Sequence, residues 1–319
     1  MRIVFMGTGE IALPSLHWLL EEAPDVEVTG VFTQPDKKVG RKRVLTPPQV
    51  KVVAGEHGVP VVQPDRLRGN APALEQLASF EPDLVVVMAY GQILPRAVID
   101  APRIACVNLH ASLLPRHRGA SPIQAAIREG DDETGITLMH IAPQLDAGDM
   151  ILKKAIGILP RDTGGTLHDR LAGLGPGILA EGLPLFASGK APREVQDEQF
   201  VTFAPKLERS DGWIDWHAPA EEIERLVRAY DPWPGTLTRA VSGGKPTSLK
   251  VFPHVSTGHS SGEEPGTILS IGNELAIACG EGTALFAGGD LQWEGKKRLP
   301  AVAFLRGSGL EVGMRLAGP

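Results

Sequence analysis

An amide and an imidazole, Asn108 and His110, stand two residues apart where the apolar run "IACVNLH" gives way to "ASLLPRHRGASP". In an extended strand residues i and i+2 point to the same face, so both side chains are aimed at one point. An amide can donate to an oxygen and an imidazole can move protons near neutrality, so the pair could serve a ligand held at that point. If the strand belongs to a parallel sheet, its carboxyl end is where such folds bind ligands. An isolated Asn-x-His also fits two side chains that satisfy backbone groups where a strand frays. Against that, the following segment is long for a routine turn, and the acidic loop "LDAGD" at 145–149 offers Asp146 as a partner for the same edge.

The elements around this pair set the stage for it. "RIVFMG", "VEVTGVFT", "VPVVQ" and "LVVVMAYG" are apolar runs separated by helix-like segments such as "EIALPSLHWLLEE" and "APALEQLASF". Continuous apolar runs alternating with helices predict a doubly wound, mostly parallel α/β sheet, Rossmann-like, covered on both faces. "ITLMHIAP" and "MILKKAIGI" are expected as a hairpin or neighbouring strands around "QLDAGD", and 163–189 as helix interrupted by Gly-Pro. Residues 191–208 are polar and nearly aperiodic, which suits a linker between a first domain, 1–190, and a second, 209–319. In the second, "AEEIERLVRAY" reads as an amphipathic helix, and short strands with Gly-rich turns follow. That pattern suits a small β-barrel of the oligonucleotide-binding (OB-like) sort.

Bulk properties narrow the function classes. The 319 residues carry 32 Lys and Arg against 38 Asp and Glu, a net charge of −6, so contact with nucleic acid requires a local patch. One exists at 37–43, "KKVGRKR", with five cations and no anion. Cys106 and Cys279, the only cysteines, lie in apolar surroundings and are expected to be buried, inert thiols of a reducing cytoplasm. No apolar stretch approaches the roughly 20 residues that span a bilayer, and the N-terminus reads as a strand, not a signal peptide. No metal is expected, because the nine His and two Cys form no ligand motif.

Two motifs point elsewhere. "GTGEIA" at 7–12 matches a dinucleotide fingerprint, with Asp36 near the end of the next strand, but Pro35 interrupts the place where a ribose-binding carboxylate belongs. A tight strand-to-helix turn explains it as well. "GHSSG" at 258–262 matches a nucleophile elbow, yet Pro265 and a strand follow where a helix is needed.

"NLHASLLPRHRGASP" together with "TGITLMHIAPQLDAGDMI" resembles the signature of the folate-dependent formyltransferases, over roughly residues 1–190. "VFTQPDKKVGRKRVLTPPQVK", "MAYGQILP" and "RAYDPWPGTL" are similar to the branch of that superfamily that formylates methionyl initiator tRNA, and extend the resemblance over nearly the whole chain. The resemblance implies a cytoplasmic enzyme, expected to be a monomer, that moves a formyl group from 10-formyltetrahydrofolate to the methionyl α-amine. Asn108, His110 and Asp146 are then catalytic: Asn108 donates to the formyl oxygen, His110 donates or carries the proton, and Asp146 orients the ring. Ser112, Leu113, Leu114 and Pro115, with Tyr90, Gly91 and Ile93, are implied to contact the folate. Arg41, Lys42 and Arg43 are implied to reach the tRNA, with the C-terminal barrel gripping the acceptor arm; its charge, 12 cations against 14 anions over 206–319, requires a one-sided basic face. For Arg118 an ion pair and a substrate contact both remain open. The alternatives are a formyltransferase acting on a nucleotide-linked sugar amine, a nicotinamide oxidoreductase and a non-catalytic tRNA-binding protein.

Overall fold

The structure, a computed structural model, describes residues 1–319 apart from Arg41, Gly243, Gly244, Ala287 and Pro319, and of Ser242 the backbone alone. The chain divides into two compact units. The first comprises Met1–Pro122, Glu133–Gly157 and His168–Ala204; the second comprises Ile123–Asp132, Ile158–Leu167 and Pro205–Pro319.

In the first unit the strands are β1 (Arg2–Gly7), β2 (Glu27–Phe32), β3 (Lys37–Val39), β4 (Val44–Thr46), β5 (Val61–Val62), β6 (Leu84–Met88), β7 (Ala105–His110), β8 (Arg118–Gly119), β9 (Glu133–His140), β10 (Met150–Gly157) and β11 (Phe203–Ala204). Seven of them form one sheet in the order β10-β9-β7-β6-β1-β2-β5. The pairs β1–β2, β2–β5, β1–β6 and β6–β7 are parallel, while β7–β9 and β9–β10 run antiparallel. The chain winds outward from β1 to β5 and returns to β6 on the other side of β1. The carboxyl ends of β1 and β6 therefore flank the switch point at which such sheets hold ligands.

Burial explains the apolar runs. β6 is buried throughout, as are five of the six residues of β1. One face packs Val4, Met6, Val85, Val87 and Cys106 against Leu77 of α1 (Ala71–Ser79), Phe80 and Val98 of α2 (Arg96–Ile99). Cys106 shares the face of Asn108 and His110 by the two-residue period, so the catalytic-looking pair continues a core stripe past the strand's apolar part. Both cysteines are free and buried, and burial pushes the thiol of Cys106 up to about 12 and that of Cys279 to about 11.

The second unit holds α3 (Ala220–Ala229) and two four-stranded antiparallel sheets. Their strands are β12 (Thr236–Ser242), β13 (Lys245–Val251), β14 (Ser256–Gly258), β15 (Ile268–Ile271), β16 (Leu275–Ala278), β17 (Thr283–Phe286), β18 (Asp290–Trp293) and β19 (Leu299–Pro300). The orders are β12-β13-β18-β19 and β14-β17-β16-β15, around a core that includes Ile223, Val227, Leu249, Ile277, Phe286 and Phe304. Arg239 of β12 bridges Ala317, and Thr267 beside β15 bridges Arg315, so one C-terminal segment joins both sheets. Among the described residues no helix is long and apolar enough to cross a membrane.

Candidate active site

His110, the last residue of β7, is buried, and its Nε2 lies 3.0 Å from the carbonyl oxygen of His117. A carbonyl can only accept, so Nε2 is the donor of that bond, which makes Nδ1 the nitrogen that carries the lone pair when the ring is neutral. Nδ1 lies 3.7 Å from Asp146 Oδ2, longer than a hydrogen bond but close for a charge. That carboxylate is held on its other side by the backbone N–H of Gly119, which donates to Oδ2 at 2.9 Å. Gly119 is required there: its φ is +126°, and a Cβ would collide with the carbonyl oxygen of Ala204. Asn108 is half-buried on the same strand face, and its side chain makes no hydrogen bond among the described residues. The ring orientation expected from Asp146 is thus supplied by His117, whose backbone turns back through the left-handed region at φ 59°.

The loop after β7 is built from within. Ser112 Oγ donates to Arg116 O at 2.6 Å, and Thr137 Oγ1 donates to Ser112 O at 2.7 Å while accepting from Leu114 N at 3.1 Å. Leu114 packs with Met139 and Met150. Ser112 and Leu114 therefore shape the loop from inside it, while Leu113 and Pro115 are only half-buried. Past β6, the Tyr90 carbonyl accepts from Thr8 Oγ1 at 3.0 Å and from Gln34 Nε2 at 3.3 Å. The Tyr90 ring is buried, and desolvation raises its hydroxyl pKa. Gly91 has φ +81°, and Ile93 is 91% exposed, an apolar side chain left in water next to the sheet's carboxyl edge.

A family model described as formyl transferase matches residues 1–183, and one described as formyl transferase, C-terminal domain, matches residues 206–309. The chain belongs to the formyl transferase family. Among curated relatives named methionyl-tRNA formyltransferase, that of Akkermansia muciniphila is 50% identical over 94% of each chain. That of Geobacter sulfurreducens is 44% identical over 99% of this chain and 96% of its own. An N-formyltransferase from Helicobacter canadensis, solved with folinic acid and dTDP-3-aminofucose, superposes with a TM-score of 0.64 at 15% identity, covering 89% of this chain and 98% of that one. HypX from Aquifex aeolicus, solved with tetrahydrofolic acid, gives 0.59 at 17% identity over 99% of this chain and 50% of its own, so this chain spans about half of HypX. At those identities the likeness is one of fold.

Lys37–Val39 and Val44–Thr46 pair as an antiparallel hairpin, wholly exposed, with Lys42 and Arg43 in its turn; Arg41 lies outside the described residues. Asp36 does not stand open to a ribose: Lys51 Nζ holds both its oxygens at 2.9 Å and Gln63 Nε2 donates at 2.8 Å. The Gln63 hydrogen bond, then Lys51, keep its carboxyl below the usual range. "GHSSG" ends a strand and enters an exposed loop, and the next element is the strand β15, not a helix. Among the described residues no group of three or more His, Cys, Asp or Glu is placed to hold a metal ion.

Sequence reasoning missed three residues that build the site. Thr137 lies opposite His110 across the β7–β9 pair, and its only signal was a polar residue between Ile136 and Leu138. Gln196 and Thr202 come from the stretch expected as a linker. Up to Ala204 that stretch belongs to the first unit: Glu194 pairs with Met150, β11 pairs with β8, and Thr202 Oγ1 accepts from His117 N at 2.9 Å. Arg118 is buried, donating from Nη2 to Glu198 at 2.9 Å and from Nε to Gln196 at 3.0 Å, which favours the ion-pair role.

Proposed function

We propose that this chain transfers a formyl group from 10-formyltetrahydrofolate to the α-amino group of methionine charged on initiator tRNA. The observation that carries the reaction class is the arrangement at the end of β7: an unengaged Asn108 amide on the same strand face as His110, whose lone-pair Nδ1 faces Asp146 Oδ2 at 3.7 Å. The acceptor rests on the relatives that match almost the whole chain, and the exposed hairpin with its Lys and Arg residues suits a phosphate-bearing partner.

The exposed Ile93 and the free Asn108 amide fit a carrier that has a flat heterocycle and a polar formyl group. Tyr90, Gly91, Ile93, Leu113 and Pro115 would hold it, with Ser112 and Leu114 fixing the loop. When bound, the folate supplies the activated formyl group. Asn108 donates to the formyl oxygen as negative charge develops there. His110 Nδ1 receives the proton that the attacking amine loses, the Asp146 carboxylate stabilises the imidazolium, and the proton passes on to the carrier nitrogen as its bond to the formyl carbon breaks and tetrahydrofolate leaves. Because His117 O holds Nε2 protonated, the accepting nitrogen is always the one turned to Asp146. Asn108→Ala and His110→Ala, checked for folding by circular dichroism, should each lower turnover by about 10²–10³-fold. Turnover equal to wild type in either folded variant contradicts the assignment.

A further inference from the structure

The loop that bears Asp146 has no regular structure, and Asp146 itself sits at φ 47°, where a residue with a Cβ is disfavoured. Something outside the loop must hold it. The Gln196 amide does so with both of its protons: Nε2 donates to Asp146 O at 2.7 Å and to Gly148 O at 2.9 Å. Gln196 is 4% exposed, so these bonds are made away from water.

The amide can face only one way. Its Oε1 accepts from Arg118 Nε at 3.0 Å, and turning it over would set an oxygen against two carbonyl oxygens and an NH2 against a guanidinium. Arg118 is fixed in turn by Glu198, and its backbone N–H donates to Thr202 O at 2.9 Å. The segment carrying Gln196 is tied on both sides, by the reciprocal bonds of Glu194 with Met150 at 2.8 and 3.0 Å and by the β11–β8 pairing. The next residue after Arg118, Gly119, binds the Asp146 carboxylate itself. Glu198, Arg118 and Gln196 thus form a polar chain that ends on the backbone carbonyls of Asp146 and Gly148, while Gly119, the neighbour of Arg118, grips the carboxylate directly.

We propose that Gln196 is a positioning residue for formyl transfer, acting through Asp146: it sets the carboxylate opposite His110 and touches neither substrate. This rests on the reading of Asp146 given above. Misplacing a reacting group by about 1 Å costs about 10²-fold in rate, so Gln196→Met, close in length but without the two donors, should lower kcat by about that factor. KM for the folate and for the charged tRNA should stay as in wild type. Gln196→Glu keeps a partner for Arg118 and loses the same donors; it should show the same split and serves if the Met variant does not fold.

The deciding measurement is a double-mutant cycle with Asp146→Asn, read in kcat for formyl transfer to methionyl initiator tRNA. If Gln196 acts through the carboxylate, Gln196→Met lowers kcat in the wild-type background and changes nothing further in Asp146→Asn. Losses that multiply, or a raised KM with kcat intact, overturn the proposal. An Asp146→Asn enzyme as fast as wild type would instead overturn the reading of Asp146, whatever Gln196 does.

Discussion

The His117 carbonyl accepts a hydrogen bond from His110 Nε2–H, and that one contact decides which ring nitrogen can act as a base. The pairing of Asn108 with His110 could be read from the two-residue strand period, because β7 runs to His110 without a break. The partner of the ring could not: His117 reaches back only because its backbone adopts φ 59°, which no pattern of polar and apolar residues encodes. For the same reason Ser112 and Leu114, expected against the folate, are occupied within their own loop. Thr137 is the clearest test of how that loop is held. Thr137→Val removes a buried acceptor for Leu114 N and a donor to Ser112 O, which should cost about 1–3 kcal/mol in chemical unfolding. Stability equal to wild type would mean that the loop is held by packing alone.

Among the elements, the central strands of the sheet were read most easily, since β1 and β6 are buried on both faces and leave continuous apolar runs. β8 and β11 were not, because two-residue strands are too short to carry a period. Their pairing is what turns residues 191–204 from an expected linker into part of the first unit. The β3–β4 hairpin is the opposite case: its cations stood out in the sequence, and the structure adds three exposed apolar neighbours, Val39, Val44 and Leu45, which nothing in the hairpin covers. A two-stranded ribbon has little stability of its own, so we expect it to gain order from its partner. Lys42→Glu combined with Arg43→Glu should weaken binding of the charged tRNA and reduce the steepness with which binding falls as salt rises, with folate binding unchanged. An unaltered salt dependence would make the hairpin a bystander.

For the chain as a whole, a net charge of −6 argues against general affinity for nucleic acid, so recognition of tRNA must be confined to local surfaces. The two family matches, 1–183 and 206–309, leave unmatched the stretch that contains Gln196, Glu198 and Thr202, three residues that support the site. The sequence pattern also missed that two segments within the expected first domain, Ile123–Asp132 and Ile158–Leu167, belong to the second unit, because composition along the chain reports continuous domains only. Choice of acceptor is the property on which the whole account turns. The most direct measurement offers the full-length protein 10-formyltetrahydrofolate and, in separate reactions, methionyl initiator tRNA, methionyl elongator tRNA and a nucleotide-linked amino sugar, and follows label from the formyl group. Label should pass to the initiator tRNA in preference to the other two. Label passing to the sugar, or to none of the three, would contradict the assignment.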